Sequence, residues 1–296
     1  MHARDHAREV GTVRTGLALT GVLCLAELVG GWLTNSLALM SDAAHMLTDM
    51  AALGLALFAL RLTTLPASER KTFGYYRAEI LAALVNGIVL CVVVVFIAAE
   101  AWRRLHDPPA VRAVGMVVLA LLGLAVNAVV ALLLRRHRTA SLNLRGAYLH
   151  VLSDLLGSVG AAVAGIVILT TGWTVADAVA SAVIGVLICI GAWELVREAV
   201  DVLMEAVPSH IDLDRLRRAL EAVPGTEEVH DLHVWSLTTG RCALSAHAVV
   251  RAVDHHDGSD DRILADMADL CARDFQIEHV TIQIEHQSRR AAEPDH

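Results

Sequence analysis

Long apolar stretches alternate with short polar loops over the first two thirds of the chain. A helix needs about 20 consecutive, mainly apolar residues to span a bilayer. Six windows meet this requirement, and they cover residues 12–33, 37–60, 78–102, 114–134, 144–170 and 175–196. The pattern therefore predicts six transmembrane helices.

The pattern changes abruptly after Pro208, where charged residues become frequent and no later stretch could span a membrane. Apolar residues at helical spacing predict two short helices, over 211–222 and 261–275. Alternating apolar residues predict three strands, over 228–236, 242–250 and 280–284. The resulting order, αββαβ, predicts a small α+β domain with both helices on one face of a sheet.

Composition agrees with a membrane class, since 55% of the 296 residues are hydrophobic and the mean hydropathy is +0.54. The net charge is −8 and no strongly basic block occurs, which argues against nucleic acid as a partner. We expect a polar N-terminal segment, a six-helix domain, a soluble domain and a short tail, over residues 1–11, 12–207, 208–288 and 289–296.

Basic residues are distributed unequally between the loops on the two sides of the membrane. One side carries Arg4, Arg8, Arg14, Arg61, Arg70, Lys71, Arg77, Arg135, Arg136, Arg138 and Arg145. The other side carries Arg103, Arg104 and Arg112 in one loop. Because basic loops stay in the cytoplasm, both termini and the soluble domain are predicted to be cytoplasmic. The absence of targeting features favours a bacterial plasma (inner) membrane.

Ionisable side chains inside a bilayer cost several kcal/mol each, so each one calls for a reason. The second predicted helix holds Asp42, His45 and Asp49, and the fifth holds His150 and Asp154. A spacing of four places the histidine and the aspartate of each pair on one helical face. Two such faces offer two imidazoles and two carboxylates, a donor set that suits Zn²⁺ and similar divalent ions.

A single pair of this kind is explained equally well by a buried hydrogen bond, but two pairs on different helices favour a metal site. Asp42 lies one turn from His45, where support of a ligand or a proton relay is expected rather than ligation. Four further polar residues are expected to form hydrogen bonds between helices rather than to bind metal, namely Glu27, Asn35, Asn86 and Asn127. Glu100 and Asp177 lie near predicted helix ends, where contact with water costs little.

Several motifs of catalytic and nucleotide-binding sites are absent from the sequence. It contains no HExxH, GxSxG or GxxxxGK motif, which argues against a zinc protease, a serine hydrolase and a P-loop ATPase. The five cysteines form no CxxC pair, so we interpret them as small buried apolar residues. The remaining source of energy for this protein is therefore an ion gradient rather than ATP.

The same residues resemble the cation diffusion facilitator family, specifically its bacterial zinc-exporter branch. The resemblance rests on SLALMSDAAHMLTD at 36–49, FGYYRAE at 73–79, HVLSD at 150–154, HDLHVW at 230–235 and TIQIE at 281–285. It implies a homodimer of six-helix protomers, each with a metallochaperone-like cytoplasmic domain. It also implies metal–proton antiport by alternating access, with the transport site formed by His45, Asp49, His150 and Asp154.

Histidines are unusually frequent in the soluble domain. Strand alternation can bring His247 close to the strand that carries His230 and His233. The resemblance maps the family's regulatory binuclear metal site best to His230, His247 and Glu285. His255 or His256 is placed there less securely, and His233 or His286 could substitute locally. The alternative is that these are solvated surface histidines.

The sequence therefore predicts a divalent metal efflux transporter, with Zn²⁺ as substrate and as a ligand of the cytoplasmic domain, and with protons and membrane lipid as further partners. Co²⁺, Ni²⁺, Fe²⁺ or Cd²⁺ as the main ion remains an alternative. An intramembrane metalloenzyme could use the same four residues, although a catalytic zinc keeps an open position that four protein ligands would fill. A metal-sensing scaffold is a further alternative.

Overall fold

Six long helices precede a small α/β region in the computed structural model, which describes residues 2–63, 65–135, 142–238, 240–251 and 259–286. Side chains are described for these residues except 2–17, 53, 56–57, 60, 63, 134–135, 142–150 and 259. The helices are α1 (His2–Thr34), α2 (Leu37–Thr63), α3 (Arg77–His106), α4 (Ala113–Arg135), α5 (Leu142–Thr171) and α6 (Val175–Leu203). Each contains one of the six predicted windows.

Within the described residues, four helical segments are long and apolar enough to cross a membrane, namely Arg77–His106, Ala113–Leu133, Val151–Thr171 and Val175–Leu203. A shorter apolar helix covers Ala18–Thr34. The prediction of a helical membrane protein with a C-terminal α+β domain is confirmed. Helix α1 begins earlier than its apolar window, because residues 2–10 contain no proline or glycine that would interrupt a helix.

The chain forms two compact units, of which the first comprises Met1–Leu57 and Val85–Val196. In this unit α4 packs along both α1 and α5. Small side chains are frequent in its core, where Ala38, Ala120 and Ala161 are fully buried beside Leu39 and Met116. Small residues let helix backbones approach closely, which supports packing between helices that lipid surrounds.

The second unit comprises Phe58–Leu84 and Arg197–His296. Its elements are α7 (Leu213–Glu221), β1 (Thr226–Thr238), β2 (Arg241–Val250), α8 (Ser259–Phe275) and β3 (His279–Glu285). The sheet order is β1-β2-β3, with β1 antiparallel and β3 parallel to the central β2. Both helices cover an apolar core that includes Leu216, Leu244, Met267 and Ile277. The predicted αββαβ order is thereby confirmed.

Local chemistry explains where the elements of this unit begin and bend. The Asp212 carboxylate accepts a hydrogen bond from the backbone N–H of Arg215 (3.0 Å) and so caps α7. Asp231 has φ of 48°, at a point where the pairing of β1 with β2 shifts between His230 and His233. Such a bulge interrupts the alternation of side chains along β1.

The segment at the start of α3 contacts the β1–β2 hairpin in this second unit. The Thr238 hydroxyl donates to Glu79 Oε2 (2.7 Å). The Arg241 guanidinium donates to the Tyr76 hydroxyl (2.6 Å) and lies 4.9 Å from the centre of its ring. The sequence pattern did not predict these contacts, since the FGYYRAE segment and the hairpin are far apart along the chain.

Candidate metal centres

Helices α2 and α5 bring three of the predicted donor residues together. His45 Nε2 lies 3.4 Å from Asp49 Oδ2, one turn along α2, and 4.0 Å from Asp154 Oδ1 on α5. Asp154 is 2% exposed, whereas His45 and Asp49 are partly accessible at 20% and 26%. The three side chains line one cavity of about 330 Å³.

His150 is the fourth predicted donor of this set. It lies on α5 four residues before Asp154, hence about one helical turn away. Its side chain is outside the described residues. Its place on the helix is compatible with the predicted pairing, and its role as a ligand stays a prediction.

Asp42 occupies the wall of the same cavity and is 2% exposed. It packs against α5 at Gly157, where an added Cβ would lie 2.9 Å from Asp42 Oδ1. The absence of a side chain at Gly157 therefore makes room for this carboxylate. Nearby, Asn127 Nδ2 donates to Ser158 Oγ (3.3 Å), a hydrogen bond between α4 and α5 of the kind expected for Asn127.

The distances between the donor atoms indicate which ion they could hold. Tetrahedral Zn²⁺ has bonds of about 2.0–2.1 Å to nitrogen and oxygen, so its ligand atoms lie about 3.3–3.4 Å apart. The 3.4 Å separation of His45 and Asp49 equals this tetrahedral edge, and the 4.0 Å separation of His45 and Asp154 is slightly longer. Neutral imidazole and carboxylate are ligands that borderline divalent ions accept.

A second cluster of donors lies on the sheet of the soluble domain. His230 and His247 face each other across β1 and β2, with ring centres 5.2 Å apart. His230 Nε2 lies 3.3 Å from Glu285 Oε2, and His247 Nδ1 lies 3.3 Å from Glu285 Oε1. Ligand atoms of these three residues all lie within 4.8 Å of one another. These distances also fit a tetrahedral zinc edge of about 3.3 Å.

Strand alternation explains why the cluster forms. The neighbours of His247, Ala246 and Ala248, belong to the core beneath the helices, so His247 points to the opposite face. Glu285 is fully buried on β3, and Gln283 Nε2 donates to its Oε1 (2.6 Å). This hydrogen bond holds the carboxylate toward the two histidines. A buried carboxylate beside two imidazoles fits the donor set of a divalent metal.

Asp231 belongs to this region and was missed by the sequence analysis. Its Oδ1 lies 2.8 Å from His233 Nε2, and its Oδ2 lies 4.0 Å from His247 Nε2. His233 is 64% exposed and contacts Asp231, so it lies beside the cluster of His230, His247 and Glu285. The position of Asp231 between the two histidines of HDLHVW could have indicated a metal ligand. The bulge that turns its carboxylate toward His247 was not predictable from strand alternation.

The remaining predicted donors are placed less closely. His286 follows Glu285 directly and is half-buried. His255 and His256 lie outside the described residues.

Burial raises the pKa of the Cys242 thiol and raises that of Cys271 to about 11. Both thiols are therefore protonated near neutral pH, as expected for apolar packing residues rather than thiolate ligands.

Helices that carry buried imidazole and carboxylate donors, joined to a soluble α+β domain with a second donor cluster, define a membrane protein built to handle cations. Two family models match the chain: the cation efflux transmembrane domain at residues 13–204 and the cation efflux protein cytoplasmic domain at 208–287. The chain belongs to the cation efflux family. Its members are transporters, so the metalloenzyme alternative is set aside.

Several curated proteins are similar along almost their full length. The metal cation efflux system protein CzcD of Cupriavidus metallidurans is 43% identical over 285 residues, 96% of this chain and 89% of that protein. The cadmium, cobalt and zinc/H(+)-K(+) antiporter of Bacillus subtilis is 41% identical over 278 residues, 91% and 86% of the two chains. The zinc transporter ZitB of Escherichia coli is 40% identical over 292 residues, 97% and 91%.

One solved structure is also similar in sequence. The metal-bound C-terminal domain of the CzcD transporter is 35% identical, with a TM-score of 0.23, and the match covers 25% of this chain and 99% of that one.

Proposed function

We propose that this chain exports divalent metal ions from the cytoplasm, with Zn²⁺ as its main substrate, in exchange for protons. The observation that carries the proposal is the convergence of His45, Asp49 and Asp154 from two membrane helices on one cavity. With His150, one turn from Asp154, the set would be two nitrogens and two oxygens. The names of the zinc transporter and the antiporter among the relatives support this choice of ion and of counter-ion.

Proton exchange follows from the chemistry of imidazole. A neutral imidazole can bind a metal ion, whereas an imidazolium cannot, and the ordinary pKa of histidine is about 6.5. Zn²⁺ entering from the cytoplasm would displace protons from His45 and His150. Protonation of the same rings on the other side would loosen the metal, so that the proton gradient drives export. Asp42, buried beside the cavity, would support the ligands or relay protons.

Transport across a membrane through a single ion site requires that the site be open first to one side of the membrane and then to the other, which is alternating access. The cavity lies between α2 and α5 on one side and α3 and α6 on the other, because Asn86, Leu90 and residues 184–195 complete its wall. Movement of these helix pairs against each other would expose the donors first to one side and then to the other. It would also distort the donor set, which weakens binding in time for release.

We also infer the arrangement of the chain in the membrane. The transport domain would comprise residues 12–207 and the cytoplasmic metal-binding and dimerisation domain residues 208–288, with 1–11 and 289–296 as terminal segments. The basic loops support cytoplasmic termini and a location in the plasma (inner) membrane of a bacterium. The match of the tail to a cytoplasmic-domain model supports a homodimer held in part by this domain.

The cytoplasmic cluster would hold a resident metal ion. His230, His247 and Glu285 fit zinc by donor type and spacing, and Asp231 lies beside them. A bound ion would join β1, β2 and β3, because each strand contributes one donor. His255, His256 and His286 stay candidates for completing the coordination.

The test is metal-by-metal transport in proteoliposomes that contain the full-length protein and a pH gradient. We expect uptake of Zn²⁺ that rises with the gradient and stops when the gradient is collapsed by an ionophore. If Co²⁺, Ni²⁺, Fe²⁺ or Cd²⁺ is transported in preference to Zn²⁺, that ion and not zinc is the main substrate. Zinc uptake at a rate that does not depend on the pH gradient would contradict proton exchange.

A further inference from the structure

A buried carboxylate on α6 caps the start of α2. Asp177 lies in the first turn of α6 and is 1% exposed. Its Oδ1 accepts hydrogen bonds from the Ser36 hydroxyl (2.7 Å) and the Ala38 N–H (3.1 Å), and its Oδ2 accepts one from the Leu37 N–H (2.6 Å). The first N–H groups of a helix lack partners within the helix and carry partial positive charge, so they favour a carboxylate. This corrects the expectation that Asp177 is solvated.

An arginine from α3 completes the arrangement. Arg104 is 6% exposed, and its Nη1 lies 3.4 Å from Asp177 Oδ2. The same guanidinium donates to the Asn35 carbonyl (2.7 Å) and to Asn35 Oδ1 (3.1 Å). The turn between α1 and α2 is therefore held between α3 and α6. We call Asn35, Ser36, Arg104 and Asp177 the clamp.

The clamp and the cavity lie at different heights on the same helices. On α6 the cavity begins at Ile184, and on α3 it is lined by Asn86 and Leu90. With a rise of 1.5 Å per residue, Asp177 lies about 10 Å before the cavity on α6, and Arg104 lies about 21 Å beyond Leu90 on α3. The clamp thus ties the helices at the end where the cavity has no lining residues from α3 or α6.

Capping alone does not explain these residues. Ser36 already caps α2 in the ordinary way, because its Oγ accepts from the Leu39 N–H (3.3 Å). A buried ion pair contributes little net stability, because desolvation offsets the attraction of the charges. Such a pair is suited to an interface that must be well ordered when closed and must also separate.

We propose that Asp177 is a positioning residue for transport. With Arg104 it closes the N-terminal ends of α2 and α6 against each other, and release of the clamp opens the ion site toward that end. In the proposed orientation this is the outer side of the membrane. The inference rests on the proposed transport function, since only a site that faces two sides in turn needs such an opening.

The variants remove parts of the clamp in graded steps. Ser36→Ala removes one hydrogen bond to Asp177 and the acceptor of the Leu39 N–H, and it leaves the ion pair. Arg104→Gln removes the charge, and with it the contact of Arg104 Nε with Glu100 Oε1 (2.8 Å) on the same helix. Asp177→Asn keeps the shape of the carboxylate. Ser181→Ala is the matched control, because this serine is fully buried on α6 and its hydroxyl donates to the backbone carbonyl of Asp177, not to the carboxylate.

The measurement is labelling of an Ala38→Cys substitution in full-length protein whose native cysteines are replaced by alanine. Ala38 is fully buried beside the clamp, so its accessibility reports opening. An impermeant methanethiosulfonate is added to proteoliposomes on the clamp side, without metal. We expect labelling to accelerate about tenfold in Arg104→Gln and Asp177→Asn, since hydrogen bonds to charged groups are lost. Ser36→Ala should give a smaller increase and Ser181→Ala none.

Zinc flux in the same liposomes separates this proposal from the proposed function. We expect Arg104→Gln to raise the zinc KM measured from the cytoplasmic side, because fewer molecules face that side. Unchanged labelling in Ser36→Ala and Arg104→Gln would overturn the clamp, even if Asp177→Asn does not fold. Faster labelling in protein that transports no zinc would overturn the function and leave the clamp standing.

Discussion

His45 Nε2 on α2 lies 4.0 Å from Asp154 Oδ1 on α5, a contact that the folding of two separate helices creates. Asp154 is nearly inaccessible, whereas His45 retains some exposure. The contact therefore joins Asp154, which is buried within the helix bundle, to His45, which is partly accessible. It is the relationship on which the proposed transport site depends, since a spacing of four residues within one helix can supply only half of the proposed donor set.

Asp154→Asn tests whether this contact matters for transport. The amide keeps the size of the carboxylate but removes its charge and half of its acceptor capacity. We expect zinc transport in proteoliposomes to fall by more than roughly 100-fold, because even groups that only support metal ligands cost about 10–100-fold when lost. Asp201→Asn, an equivalent change on the exposed end of α6, should transport like wild type. Equal transport by both variants would refute the site.

Gly157→Ala tests the space that α5 leaves for Asp42. The new Cβ would lie 2.9 Å from Asp42 Oδ1 and would force that carboxylate to move by a few tenths of an ångström. Because a displacement of about 1 Å can cost about 100-fold in rate, we expect transport to fall roughly 3–10-fold with little loss of folded protein. Gly160→Ala is the control on the same helix, since no heavy atom lies within 4 Å of its added Cβ apart from its chain neighbours and the backbone of its own helix. A larger loss in the control would contradict this account.

His45→Asp tests the choice of ion. The change replaces a borderline nitrogen with a hard oxygen in the donor set. We therefore expect selectivity to relax toward ions such as Mn²⁺ or Cd²⁺, measured as competition with zinc uptake. His210→Asp places the same substitution on an exposed position of the soluble domain and should leave the ion preference unchanged. An unaltered ranking in His45→Asp would count against ligation by His45.

The helices and strands were predictable because their signals are local. The six membrane windows follow from the length of the apolar stretches, and the αββαβ order follows from hydrophobic periodicity. The pairing of His45 with Asp49 was predictable for the same reason, since a spacing of four defines one helical face. That Asp154 approaches this pair was a hypothesis from the recurrence of the spacing, not from any rule about how helices pack.

The clamp and Asp231 show where such reasoning stops. Asp177 lies near the start of a helix, where a carboxylate is usually solvated, and its burial depends on the arrival of α2 and Arg104 from other parts of the chain. Asp231 reaches His247 because a bulge with a positive φ interrupts β1. Both placements are consequences of tertiary structure, which periodicity does not encode.

Cys271 should make the soluble domain sensitive to alkaline pH. Its thiol is fully buried, which raises its pKa from 9.0 to about 11. The unfolded chain therefore loses this proton at lower pH than the folded chain. The contribution to stability is complete below about pH 9 and is lost as the pH rises toward 11. Chemical unfolding of the domain at several pH values should show a shallower decline in Cys271→Ala than in wild type. Cys189→Ala, on α6 outside the soluble domain, should retain the wild-type slope.

Removal of metal should loosen the sheet that carries the cytoplasmic cluster, because His230, His247 and Glu285 belong to three different strands. A ligand that binds only the folded state slows global opening by about 100-fold at 100 times its Kd. We therefore expect zinc to slow hydrogen exchange in β1 and β2 of the full-length protein, and a chelator to reverse this. His247→Ala should abolish the zinc effect, whereas His210→Ala, an exposed histidine outside the cluster, should keep it. Equal protection by zinc in both variants would place the resident metal elsewhere.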